Sequence, residues 1–452
     1  MDNSNRRVLL FVSYSIGIFF LLSVASSLSG IGWMPFNRVN LISDVLITKE
    51  DSISTTDSLV TGADEPLIVE TKAKEDFLLY QRPQFITSFN ADTTAASLNR
   101  FLQKLHELKN GKPVKVRIAY FGDSMIEGDL LTQTLRKLLQ QMYGGNGVGF
   151  VPITSPVSKF RQTVWANYSD GWSDDNFKEG NNSRLYLSGH SFHTSGAWVQ
   201  MNDQTIKDSA AIIEKSLLCG FSQQPVSITV NNSSRTISAT KTVNRIPLVN
   251  DGSRSVKMTI ANDQLPVYGI SFESATGVFV DNFSFRGITG VEFARVDSTF
   301  LHAVAQNNPY DLIVFQYGVN LLFRPNDKNF SWYAKTMLPV VRKIRNCFPQ
   351  TDFLLVSTAD RAFRYGGQYK SAVGIDSLIK VQALLAYQTN SSFYNQFATM
   401  GGTNSIVDWA KRKPSLANQD YVHPNHRGAE ILGTYFYEAI VKEYDKYVHS
   451  LK

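Results

Sequence analysis

The sequence predicts an α/β fold built on a central parallel sheet and interrupted by an inserted β-rich segment. Three observations carry that prediction. Short apolar runs at 114–121, 277–280 and 311–316 suit buried parallel strands, and each leads into a loop carrying Gly, Ser or Asn. Leucine-rich stretches with three-to-four spacing alternate with these runs, as helices do in βαβ units. Between about 155 and 275 the rhythm changes: Val226, Ile228 and Val230 alternate with polar residues, as do Val256, Met258 and Ile260.

The chain has 452 residues, 43% hydrophobic and 19% charged, which excludes a mostly disordered or coiled-coil protein and exceeds one domain of ordinary size. Its net charge of +6 arises from 45 basic and 39 acidic residues without a long run of one sign, so no nucleic-acid arm is expected. Cys219 and Cys347 are the only cysteines, too few for a disulfide framework, although one bridge is allowed.

From Val8 to Phe36 no residue is charged, and Val8 to Leu28 is apolar over roughly the 20 residues that span a bilayer. Arg6 and Arg7 precede it, which predicts an amino end in the cytoplasm and the rest of the chain outside. The stretch is longer than the ~7–15 apolar residues of a signal peptide, favouring an uncleaved anchor over cleavage near Ala25 to Ser27. Residues 1–36 are therefore expected to be a transmembrane anchor and 37–84, rich in Asp, Ser, Thr and Glu, a flexible tether.

Ala95, Leu98, Phe101, Leu102, Leu105 and Leu108 predict a helix ending at Asn110-Gly111, and residues 114–121 a strand. Leu131, Leu135, Leu138 and Met142 lie on one side of the next helix. Farther on, helices are expected over 332–348, 375–387 and 427–447, with a strand at 352–357. Residues 155–275 read as a sandwich-like insertion.

Gly122-Asp123-Ser124 ends the first strand, where open α/β sheets place ligands, and the glycine is expected to leave room for substrate. Alone the tripeptide is ordinary turn chemistry. Asp420 and His423 lie in the loop before the last helix; His423 can accept the serine proton while Asp420 orients it, although a helix-capping role for His423 is the plain alternative. Asn320, in Gly318-Val319-Asn320, and a glycine N–H in the loop 286–290 can supply donors to an oxyanion, with the Ser124 N–H as a third.

These four blocks resemble the SGNH (GDSL-like) hydrolases. The resemblance implies Ser124 as nucleophile, His423 as base, Asp420 as its partner, and Ser124, Gly290 and Asn320 as the oxyanion hole, on a three-layer sandwich with a central parallel sheet. Leu321 stands where the family commonly has Asp. A fuller match over Gly122–Asp129, Leu135–Leu139 and Gly144–Phe150, followed by a β insertion, looks like the periplasmic peptidoglycan O-acetylesterases, in which the insertion is similar to a carbohydrate-binding module; Met125 replaces a His often found there. The catalytic domain is then 85–154 plus 276–452, with 155–275 a possibly glycan-binding insertion.

The implied activity is removal of O-acetyl groups from a cell-envelope polysaccharide at the outer side of a bacterial inner membrane, without metal or organic cofactor. O-acetyl transfer beside a membrane acyl exporter, and an inactive glycan-binding scaffold, are the alternatives. Asp123, Trp172 and Trp198 are candidate substrate contacts; Trp165 and Tyr168 are further aromatics of the insertion, in which core packing is the ordinary role. His190 and His193 have ligand-like spacing but lack a completing set, so ordinary histidines are favoured.

Overall fold

The computed structural model describes residues 80–89, 96–180, 182–207 and 210–452. The expected anchor, and the tether as far as residue 79, lie outside the described residues. Among the described residues no helix is long and apolar enough to cross a membrane.

The central sheet has the spatial order Ile86–Thr87, Ser392–Tyr394, Asp352–Val356, Leu312–Gln316, Lys115–Gly122, Gly277–Ser284. All neighbours pair in parallel except Ile86–Thr87, which is antiparallel to Ser392–Tyr394. In chain order the five parallel strands run 2-1-3-4-5, the doubly wound arrangement whose switch point lies beside the first strand. Ser124 follows that strand.

Lys115–Gly122 is apolar on both faces because both are covered. Val116, Ile118 and Tyr120 join one core with the helices Asn99–Lys109, Leu130–Tyr143 and His426–Ser450. Ala119 and Phe121 join the opposite core with Ser298–Asn307, Ser331–Cys347 and Ile375–Gln388. Phe121 also stacks on Phe315 of the neighbouring strand at 5.0 Å between ring centres.

The helix Leu130–Tyr143 buries part of the apolar side that the sequence marks. Leu131, Leu135 and Leu139 are buried, while Leu138 is half-buried and Met142 exposed. Arg136, 1% exposed, is buried on this helix too, its guanidinium gripping both oxygens of Asp129 at 2.8 Å and the Val280 carbonyl. An arginine in the interior is hard to foresee from apolar periodicity.

Residues 80–84 do not behave as tether. Asn395 Nδ2 donates to the Tyr80 carbonyl, the Gln84 N–H donates to Thr399 Oγ1, and Tyr80 packs edge-on against Phe393. Order therefore begins by residue 80.

The β-rich segment forms two antiparallel sheets. One runs Ser233–Ile237, Val226–Val230, Ser255–Ile260, Trp198–Asp203, Val164–Tyr168; the other runs Val243–Asp251, Ile213–Gly220, Val267–Glu273, His190–Thr194, Trp172–Asn176. Alternating residues such as Ile228, Met258, Leu217 and Phe272 fill the space between them. The segment starts before residue 155, since Gly149–Pro152 pairs with Val267–Glu273. It also shares a core with the α/β layers through Phe150, Phe177 and Tyr186, and all described residues fall in one compact unit. Glu273, fully buried, accepts from Lys115 and Arg117 of the central strand and pairs with Arg245 of the insertion at 2.9 Å. Cys219 and Cys347 are free and buried.

Candidate active site

The loop before the last helix is fixed independently of His423. Asn425 caps that helix, its side-chain oxygen accepting from the Arg427 and Gly428 N–H groups. The backbone of 416–425 closes on itself, with the Asn418 N–H donating to the His423 carbonyl and the Asn425 N–H to the Leu416 carbonyl. His423 is thereby released from capping.

Its imidazole reaches the expected nucleophile: Ser124 Oγ and His423 Nε2 are 2.8 Å apart across 299 positions of chain. On the far side His423 Nδ1 lies 2.7 Å from Asp420 Oδ2, and Asp420 Oδ1 accepts the N–H groups of Val422 and His423. Partial burial acts to raise the Asp420 carboxyl pKa, but these hydrogen bonds outweigh it and hold the carboxyl below its ordinary value. It is ionised where the imidazole needs a counter-charge.

Gly122 does not leave open space for substrate. A Cβ there would sit 2.8 Å from the Ile126 side chain and 3.1 Å from the Gln316 carbonyl, so glycine permits the turn to fold tightly against its own strand neighbours. Asp123 is likewise not a substrate contact. It is 1% exposed, accepts from the Met125 N–H at 3.0 Å and from the Gly318 N–H, and thereby ties the nucleophile turn to the loop holding Asn320. Burial pushes its carboxyl up to about 7, with Glu127 adding repulsion against the backbone donors.

Gly290 occupies φ +92°, and a Cβ would meet the Tyr317 ring at 2.8 Å; both facts favour glycine. Neither its N–H nor that of Ser124 has an acceptor among the described residues. Asn320 differs. Its amide already donates to the Ile288 carbonyl at 2.9 Å and to Asp123 Oδ2 at 3.3 Å. Of the three expected oxyanion donors, two therefore have no acceptor among the described residues and the third is engaged.

The remaining candidates sit in the insertion. Trp172 is half-buried, with its Nε1 donating to the Trp198 carbonyl, while the Trp198 ring lies beneath the Lys257 ammonium at 4.7 Å. Trp165 is 65% and Tyr168 39% exposed, so none of the four aromatics is a fully buried core residue. His190 pairs with Asp174 at 2.9 Å and His193 lies 3.9 Å from Asp175. Met125 is buried in the core beneath the sheet. Sequence reasoning missed the Glu127–Arg286 pair, in which Arg286 Nε and Nη2 donate to Glu127 Oε2 at 2.8 and 2.5 Å; its partners lie 159 positions apart and carry no motif.

No family model matches the chain, and no curated protein matches it. The strand-end loops of the parallel sheet bring Ser124, His423 and Asp420 into one hydrogen-bonded series, with Asn320 bonded to Asp123 beside them. Among solved structures, a peptidoglycan O-acetylesterase is similar at 20% identity and a TM-score of 0.66, over 80% of this chain and 99% of that one. A family two carbohydrate esterase from Clostridium thermocellum in complex with cellohexaose (10% identity, TM-score 0.28, 62% of this chain and 100% of that one) and a putative GDSL-like lipase from Parabacteroides merdae (16%, 0.27, 36% and 72%) superpose too poorly to bear on function.

Proposed function

We propose that the protein is a serine esterase that removes O-acetyl groups from a cell-envelope polysaccharide, with peptidoglycan as the substrate. The observation that carries this reading is the hydrogen-bonded series Ser124 Oγ, His423 Nε2, His423 Nδ1, Asp420 Oδ2, at 2.8 and 2.7 Å. His423 takes the Ser124 proton as Oγ attacks the acetyl carbonyl carbon, and the imidazolium that forms faces the Asp420 carboxylate. The oxyanion meets the free N–H groups of Ser124 and Gly290. His423 then returns the proton to the sugar oxygen as the ester bond breaks, and activates water to release acetate from Ser124. The similar peptidoglycan O-acetylesterase supports the choice of substrate, and the charge-free segment behind Arg6 and Arg7 supports a site on the outer side of a membrane.

Acetate release by the full-length protein from O-acetylated peptidoglycan, compared with acetylated xylan, tests the reading. Faster release from peptidoglycan is expected, abolished by Ser124→Ala. Equal rates on both polymers would remove the substrate assignment. Acetyl transfer to an added glycan in place of free acetate would make the enzyme a transferase, and no acetyl loss at all would leave a scaffold.

A further inference from the structure

A cleft of about 300 Å³ opens next to the turn that carries Ser124 and runs into the β-rich segment. Its wall on the catalytic side is Glu127, three residues after Ser124, with Arg286 bonded to it. Its wall on the insertion side carries Asp174, His190 and Ser188. The two walls touch. The His190 ring stacks on Phe285, the residue before Arg286, at 4.8 Å and 25°, and on Phe192 at 5.4 Å and 9°.

Two polar groups of this cleft, His190 and Arg286, are held and yet incompletely used. Both Asp174 oxygens lie 2.9 Å from His190 Nδ1, so the ring is fixed by a carboxylate and by two aromatic faces, while His190 Nε2 has no partner among the described residues. Arg286 uses Nε and Nη2 on Glu127, and its Nη1 has no partner among the described residues. Ser188, 3% exposed, lines the same cleft, and its Oγ is also without a partner there. A buried hydroxyl with no bond is unfavourable and is relieved when a ligand or water group binds it. An oriented imidazole, a clamped guanidinium and an unbonded hydroxyl suit neutral polyhydroxyl ligands, which present hydroxyl and amide groups to such donors and acceptors.

We propose that this cleft is a glycan subsite in which His190, oriented by Asp174, and Arg286, held by Glu127, hydrogen-bond the sugar adjoining the acetylated one. This rests on the esterase reading above and makes the insertion part of the substrate site. Recognition of polymer over a small ester then resides in residues far from Ser124 in sequence.

The test is direct binding of O-acetylated chitotetraose to the full-length Ser124→Ala protein by titration calorimetry, alongside steady-state kinetics in the active enzyme. Adding His190→Ala, Asp174→Asn or Arg286→Ala to Ser124→Ala is expected to weaken binding about tenfold or more, as loss of such bonds does. In the active enzyme the same changes should act on KM for the oligosaccharide, lowering the ratio of its kcat/KM to that of p-nitrophenyl acetate by a similar factor. Asp174→Asn keeps the shape of a part-exposed side chain and guards against misfolding, which thermal unfolding of each variant also reports. Unaltered binding and an unaltered ratio in all three variants would overturn the proposal, as would no binding to Ser124→Ala at all. If the wild type releases no acetate from the oligosaccharide while Ser124→Ala binds it through these residues, the esterase reading fails and the subsite stands.

Discussion

Asn320 and Asp123, 197 positions apart, meet beneath the nucleophile: the Asn320 amide donates to Asp123 Oδ2 across 3.3 Å and to the Ile288 carbonyl at 2.9 Å. The contact joins two strand-end loops and occupies the Asn320 amide, the third donor of the proposed oxyanion hole. The longer of the two bonds is the weaker, so in the proposed mechanism it is the one that yields to an oxyanion.

Replacing Asn320 by Ala removes that donor while leaving Ser124 and His423 in place. A fall in kcat on p-nitrophenyl acetate of about 10²–10³-fold is expected, as for loss of one oxyanion donor elsewhere. A change of less than about threefold would mean that Asn320 stays with Asp123 and Ile288 throughout turnover.

Asp420→Asn keeps the shape beside His423 and deletes the charge. Activity should fall by about 10²–10⁴-fold, the range attached to a positioned acid–base group. Thermal unfolding should change little, because Asp420 is partly exposed. A large loss of stability with full specific activity would assign Asp420 to the loop instead of the reaction.

Asp123 makes stability depend on pH. The folded protein keeps its proton up to about pH 7, whereas the ordinary value is 3.8. Between those values the native state binds more protons than the unfolded chain, so the contribution of this group falls as pH rises. Asp123→Asn stays neutral and should flatten the pH dependence of Tm between about 4 and 7. Superimposable Tm profiles for the two proteins would contradict this.

Asp129 holds two buried cations, Arg136 at 2.8 Å and Arg161 at 3.3 Å. Burial disfavours its charge, yet the two guanidinium groups outweigh burial and hold the carboxyl well below the usual range. Asp129→Ala strands both arginines, and a loss of about 3–5 kcal/mol in urea unfolding is expected. A loss below about 1 kcal/mol would show that water or another group replaces the carboxylate.

Much of the catalytic fold is legible in the sequence because its signals are local. Apolar runs mark the parallel strands, and the turn Gly122-Asp123-Ser124 and the loop from Asp420 to His423 each carry their chemistry within four residues. What stays hidden depends on pairs distant in sequence. Arg136 is held in the interior by Asp129 and the Val280 carbonyl, which apolar spacing along its helix does not reveal. Tyr80 and Gln84 join the fold through Asn395 and Thr399, more than 300 positions away. Asp123 carries no mark of burial in a turn sequence that normally faces solvent. The cleft between Arg286 and His190 exists only once the insertion packs on the oxyanion loop.

The central claim is that Ser124 carries the acyl group. Mass spectrometry of the full-length protein, acid-quenched during turnover of p-nitrophenyl acetate and digested, measures this directly. One acetyl group on the peptide containing Ser124, absent from Ser124→Ala, is the predicted result. Steady turnover with an unmodified Ser124 peptide, or undiminished turnover by Ser124→Ala, would contradict it.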